Sequence, residues 1–181
     1  MWTAPLVDFA QKKTLNLGCG QKYRDDAVNV DVPRSNVRAD LWYDLNQRPW
    51  PFENDTFQEV LAFDIVEHLR DLLLTMEEIH RVCRNGAIVR ITVPHYSSAN
   101  AFTDPTHLHY FGLFSFDYVT GQHAFYNASR FRTIRREFIF HPTLVNKLVW
   151  RLAKRYPAEY ERRWAWIFPA WYLSFELEVV K

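Results

Sequence analysis

Thr14-Leu15-Asn16-Leu17 runs directly into Gly18-Cys19-Gly20, and the next apolar run, Val28-Asn29-Val30, closes on Asp31. No other feature constrains the chain as much. It reads as a buried strand, a glycine turn and a second strand ending in a carboxylate. Glycine takes dihedrals that residues with a Cβ avoid, so the backbone can turn sharply and let a ligand come close. A carboxylate at the end of the neighbouring strand can accept both hydroxyls of a ribose.

The rest of the chain supports a parallel α/β sheet. Val37–Leu45 reads as a third strand, and Gln47–Thr56, rich in Pro, Asn and Asp, as a loop to a fourth, Glu59–Asp64. From Asp71 the apolar positions Leu72, Leu73, Met76, Ile79, Val82 and Cys83 recur at helical spacing, and Asn85-Gly86 supplies a left-handed stop. Ala87–Val93 is then a nearly continuous apolar strand, as expected where helices pack on both faces, and Pro94 ends it. Arg90 has no place in that pattern. Two further strands are expected at Thr133–His141 and Ser174–Val180, separated by a helical stretch from about Leu144 to Arg163.

At 181 residues with 48% apolar and 24% charged residues, the chain fits one domain, 1–181, with a proper core. Cys19 and Cys83 show no disulfide pattern, so a cytoplasmic setting is expected. Met1–Lys13 lacks the basic start and apolar run of an export signal, and no segment reaches the roughly 18 uninterrupted apolar residues of a spanning helix. Charge is unevenly distributed. Residues 1–129 hold 11 Lys/Arg against 16 Asp/Glu, whereas 130–163 hold 10 against 3.

In open α/β sheets ligands bind beyond the carboxyl ends of the strands, and polar residues gather there: Gly18–Gly20, Asp31, Asp44, Asp64 and His95. Taken in order, these pieces resemble the class I S-adenosylmethionine (SAM) dependent methyltransferases, from Thr14 to Phe116 with an echo in Phe175–Val180. The resemblance implies a Rossmann-like sheet, mostly parallel, of about seven strands with helices on both faces. It implies a cofactor half at about 14–93 and a substrate or lid half at about 94–181. SAM would be the cofactor and S-adenosylhomocysteine its product. Leu17, Gly18, Cys19 and Gly20 would lie along the methionine and ribose portions, Asp31 and Val32 at the ribose, Asp44 and Leu45 beside the adenine, and Asp64 with Ile65 near the methionyl amino group. Glu67-His68-Leu69 matches a segment that opens a helix.

Two departures stand out. Lys22 occupies the place of the family's third glycine, and the stretch from Gly20 to Asp31 is short for a helix between parallel strands, so one turn or a loop is expected. Lys22 and Arg24 then either reach the methionine carboxylate or are simply solvated. A nicotinamide-dependent dehydrogenase shares the strand, turn and acid, but Tyr23 stands where its last glycine belongs.

Methyl transfer requires a nucleophile held in line with the methyl group, with a base in reach when the acceptor is a hydroxyl. His95, leaving the fifth strand, is the leading base candidate, with His107 and Asp64 beside it. Asp104, His107 and His109 either join His95 around a metal or anchor a substrate loop by hydrogen bonds; the spacing matches no metal motif, so no metal is assigned. The expected acceptor is a small molecule or a glycan or lipid intermediate, methylated at oxygen. The alternatives are a non-catalytic module of the same fold and an RNA methyltransferase. Nucleic acid is disfavoured because Asp64-Ile65-Val66-Glu67 is not the aromatic loop that holds a flipped base. The tail Arg162–Leu173, with Trp164, Trp166 and Trp171, reads as a lid or as a peripheral membrane contact.

Overall fold

Seven segments become strands: β1 (Thr14–Leu17), β2 (Ala27–Asp31), β3 (Leu41–Trp42), β4 (Phe57–Phe63), β5 (Cys83–Pro94), β6 (Phe131–Ile139) and β7 (Tyr172–Val179). In this computed structural model, which describes residues 12–121 and 130–181, they form one sheet in the order β3-β2-β1-β4-β5-β7-β6. The pairs among β1 to β5 are parallel, and β7 runs antiparallel to both β5 and β6. From β1 the chain steps outward to β3 and then returns to β4 on the other side of β1. A crevice therefore opens at the carboxyl ends of β1 and β4.

Burial is continuous along most of β1 and β2 and alternates along β5 and β7. Leu15, Leu17, Val60, Ala62, Val89, Ile91, Phe175 and Leu177 share one face by register and are all buried. On the opposite face Arg90 lies between Glu59 of β4 and Glu176 of β7, with contacts of 3.0 and 2.9 Å. Arg90 is thus the centre of a half-exposed charge ladder across three strands, and β5 is not the evenly apolar strand its composition suggests.

Three boundaries differ from expectation. The third strand shrinks to Leu41–Trp42 because Asp40 turns inward, where its carboxylate accepts from the Asn29 amide and side chain, the Tyr23 hydroxyl and Lys12. Helix α1 (Leu72–Val82), capped by Asp71 accepting from the Leu74 amide, passes straight into β5. Cys83 pairs with Phe57 at once, leaving no room for a left-handed stop, and Gly86, at φ +78°, instead sits where the β4–β5 register shifts. The long carboxyl-terminal helix divides into α3 (Leu144–Arg155) and α4 (Pro157–Arg163), since Pro157 lacks the amide that would continue it. A short helix, α2 (Asn100–Thr103), precedes the histidine-rich loop.

No helix separates β1 from β2. Two buried asparagines serve the loop instead: Asn16 Nδ2 donates to the Lys22 carbonyl, and Asn29 accepts from the Arg24 amide while donating to the Arg24 and Ala27 carbonyls. Backbone groups that a helix would have paired are satisfied here by side chains. Among the described residues no helix is long and apolar enough to cross a membrane. Met1–Gln11, which carries most of the stretch read for an export signal, lies outside the described residues.

Candidate functional site

The glycine turn is held from two sides. Gly18 has φ +57°, and a Cβ there would fall 2.6 Å from the Ile65 side chain. Ile65 follows β4, so the close approach that requires Gly18 is to the protein's own wall. Gly20, at φ +50°, has open space instead, and its amide donates to Asp31 Oδ2 at 2.6 Å. Asp31 Oδ1 accepts from the Val32 amide at 2.7 Å. Two backbone amides therefore aim the carboxylate, which is 8% exposed and lines a cleft of about 490 Å3 at the carboxyl ends of β1, β2 and β4.

Other predicted residues surround it. Cys19 and Val32 border the cleft, whereas the Leu17 side chain is wholly buried in the core and brings only its strand end. Burial, followed by Asp31 and Asp40, pushes the Cys19 thiol up to about 11, so it is a neutral floor group. Leu45, Ile65 and Leu69 form an apolar wall; the Leu45 carbonyl accepts from Trp50 Nε1, and Asp44 holds the adjoining turn through Asn46. At the other end Lys22 meets Asp64 at 2.8 Å, and Asp64 sits at φ +58°. Arg24 pairs with Asp26 on the exposed loop and does not line the cleft.

A second cavity, about 560 Å3, adjoins the first and shares Asp64 and His68 with it. Glu67 does not cap a helix. It lies in a 3-10 turn, Val66–His68, with its side chain 1% exposed and its Oε2 without a hydrogen-bond partner. Burial pushes this carboxyl up to about 7. Its backbone carbonyl accepts from the Leu108 amide at 2.8 Å, which folds the loop around His107 back over β4's end. The rings of His68 and His107 meet edge to face at 4.6 Å. Burial, then His107, lowers the His68 pKa.

His95 is elsewhere. It is fully buried; the Ser97 amide donates to Nδ1, which leaves the Nε2 proton for Glu161 of α4 at 3.2 Å. Glu161 also accepts from the Leu113 amide at 2.6 Å. Both His95 nitrogens are thus engaged, His95 lines neither of these two cavities, and it ties β5 to α4. His109 contacts the Leu69 carbonyl at 2.8 Å. The grouping read from the loop, His95 with Asp104, His107 and His109, does not form. Glu67, His68 and His107 come together instead. The sign in the sequence was Val66 and Leu69, two apolar residues bracketing a charged pair.

No protein-family model and no curated protein sequence matches the chain. Solved structures do match it in shape. A SAM dependent methyltransferase from Archaeoglobus fulgidus superposes with a TM-score of 0.63 at 15% identity, over 93% of this chain and 88% of that one. A SAM dependent methyltransferase from Mesorhizobium loti gives 0.59 at 12% identity, over 92% and 90%. The [4+2]-cyclase SpnF gives 0.56 at 19% identity, over 92% and 74%. With the seven-stranded order, these likenesses show a Rossmann-like class I methyltransferase fold.

Proposed function

We propose that the chain is a SAM-dependent methyltransferase acting on the oxygen of a small-molecule, glycan or lipid-intermediate acceptor. The observation that carries this reading is Asp31, clamped by the Gly20 and Val32 amides at the switch point of the sheet and facing an open cleft. The donor set fits the cofactor in three places. Asp31 suits the ribose diol, the Leu45, Ile65 and Leu69 wall suits a flat base, and the Lys22–Asp64 pair matches the carboxylate and ammonium of an amino acid. When bound, SAM supplies a sulfonium methyl group open to in-line displacement. The protein's part is to hold both partners and exclude water. Asp64 and His68, which belong to both cavities, mark the seam where an acceptor in the second cavity would meet the first. His107 lines the acceptor side, and His95 supports this region by fixing the end of β5.

Calorimetric titration with S-adenosylhomocysteine tests the reading. Asp31→Ala should weaken binding by at least about 100-fold, because the diol loses charged hydrogen bonds and two amides lose their acceptor. A folded wild-type protein that ignores this ligand would end the proposal.

A second reading, an enzyme or binding module that keeps the fold without transferring a methyl group, draws support from the likeness to a [4+2]-cyclase. It predicts cofactor binding with no methylated product from any acceptor. For the acceptor's setting, the outer surface of α3 and α4 is informative. Leu144 of α3 and, just past α4, Trp166 and Ile167 are 84, 67 and 63% exposed, and the exposed Lys147, Arg151 and Arg162 stand on the same two helices. Exposed apolar side chains together with exposed cations suit an anionic membrane surface. Cosedimentation with vesicles containing phosphatidylserine, compared with neutral vesicles, tests this contact.

A further inference from the structure

The second cavity brings together Glu67, His68 and His107, of which only His68 also borders the cofactor cleft. Glu67, His68 and His107 each offer a ligand atom, and these atoms all lie within 4.8 Å of one another. Their orientation is the informative part. His107 Nδ1 contacts the Ala101 carbonyl at 3.0 Å, and a carbonyl only accepts, so the Nδ1 proton is committed there and Nε2 keeps its lone pair. Thr106 donates its hydroxyl proton to Asp104 at 2.6 Å, so the same oxygen accepts from His68 Nδ1 at 2.9 Å, and again Nε2 is free. Both imidazoles are thus held through Nδ1, one by a backbone carbonyl and one through a hydroxyl and a carboxylate, with Nε2 as the lone-pair nitrogen. Metal-ligating histidines are held in this way. The third member is a carboxylate whose side chain is 1% exposed and whose Oε2 has no hydrogen-bond partner.

We infer that Glu67, His68 and His107 form a binding site for a divalent transition-metal cation, placed at the junction of the two cavities. Two imidazoles and one carboxylate favour zinc, cobalt or iron(II) over magnesium, which prefers oxygen ligands. Metal–nitrogen bonds of about 2.0–2.1 Å bring ligand atoms to within about 4 Å of each other, so small side-chain rotations complete the site. Three protein ligands leave positions open for an oxygen from solvent or acceptor. The cation site stands on side-chain geometry alone; a role in presenting an acceptor hydroxyl rests on the methyltransferase reading.

The full chain, freed of any affinity tag and stripped with chelator, would be titrated with Co2+ while its visible absorption is followed, then with Zn2+ in competition. One Co2+ per chain, with ligand-field bands that Zn2+ removes and Mg2+ does not, is expected. Glu67→Gln, His68→Ala and His107→Ala should each abolish those bands. Thr106→Val should weaken binding about 10- to 100-fold by releasing His68, and His109→Ala should leave it unchanged. Titration of every variant with S-adenosylhomocysteine in parallel reports on the neighbouring cleft and on folding. Wild-type protein that binds this nucleoside but takes up neither Co2+ nor Zn2+ overturns the inference. Uptake that survives the three ligand substitutions overturns it too. Cobalt bands without nucleoside binding would uphold the site and remove the methyltransferase reading.

Discussion

The cleft beside β1 and the layer formed by α3 and α4 solve opposite problems. In the cleft, polar groups face inward and the frame is held on several sides: Asp31 by two backbone amides, the loop after Gly20 by the Asn16 and Asn29 side chains, Gly18 against the Ile65 wall. In the helical layer, large apolar side chains such as Leu144, Leu148 and Leu152 face outward, and few side chains, Val149, Ala153 and Tyr160 among them, are buried. The contrast teaches that rigidity is concentrated where a small polar ligand needs matched atoms. The helical layer offers area and charge, which suit an extended partner.

The comparison breaks if substitutions in the two regions cost alike. Gly18→Ala should have the largest effect, about 2–5 kcal/mol of stability, combining the left-handed backbone penalty with overpacking against Ile65. Denaturant unfolding of Gly18→Ala in an Ile65→Ala background should recover the overpacking share only. Asp40→Asn comes next. Burial raises the Asp40 pKa, but the Tyr23 hydroxyl, Asn29 and Lys12 outweigh it and hold the carboxyl at about 2. A folded value below the ordinary 3.8 stabilises the fold above pH 4, and that contribution is lost as pH falls through about 2. The variant should therefore be less stable by about 2 kcal/mol at pH 7, with the gap closing between pH 4 and pH 2 in a series of urea titrations.

Smaller effects sharpen the contrast. Lys22→Met should weaken S-adenosylhomocysteine binding by about 3- to 10-fold, the pair with Asp64 being partly exposed. Calorimetry with methylthioadenosine, which lacks the amino acid end, should show no change. An equal loss for both ligands would remove Lys22 from the methionine end. Trp166→Ala should alter thermal stability least, by under about 0.5 kcal/mol, while reducing association with anionic vesicles. A cost matching that of Gly18→Ala would show Trp166 to be a structural residue and the division of labour to be mistaken.

Much of the fold was legible because its signals are local. The glycine turn, the acid closing β2 and the apolar run of β5 each lie within a few residues of what they specify. Lys22 standing in place of a glycine, with too few residues for a helix before β2, likewise pointed to the loop that forms. Direction was not legible. His95 sits where a strand-end residue faces the cleft in the family pattern, but its orientation is set by Glu161, 66 residues further along. His68 and His107 are separated by α1 and β5, and only the return of the loop onto the Glu67 carbonyl brings them together. Arg90 was unreadable for the same reason, since both its partners lie on other strands. A residue's strand position follows from nearby sequence, whereas its contacts depend on the register of distant segments.

The ladder of Glu59, Arg90 and Glu176 has a further consequence for how copies of the molecule meet. A half-exposed sheet surface of plain aliphatic residues would invite a second sheet to stack upon it, whereas stacking here would strip water from fixed charges of both signs. Those three side chains therefore make that surface a costly one for a second copy to cover.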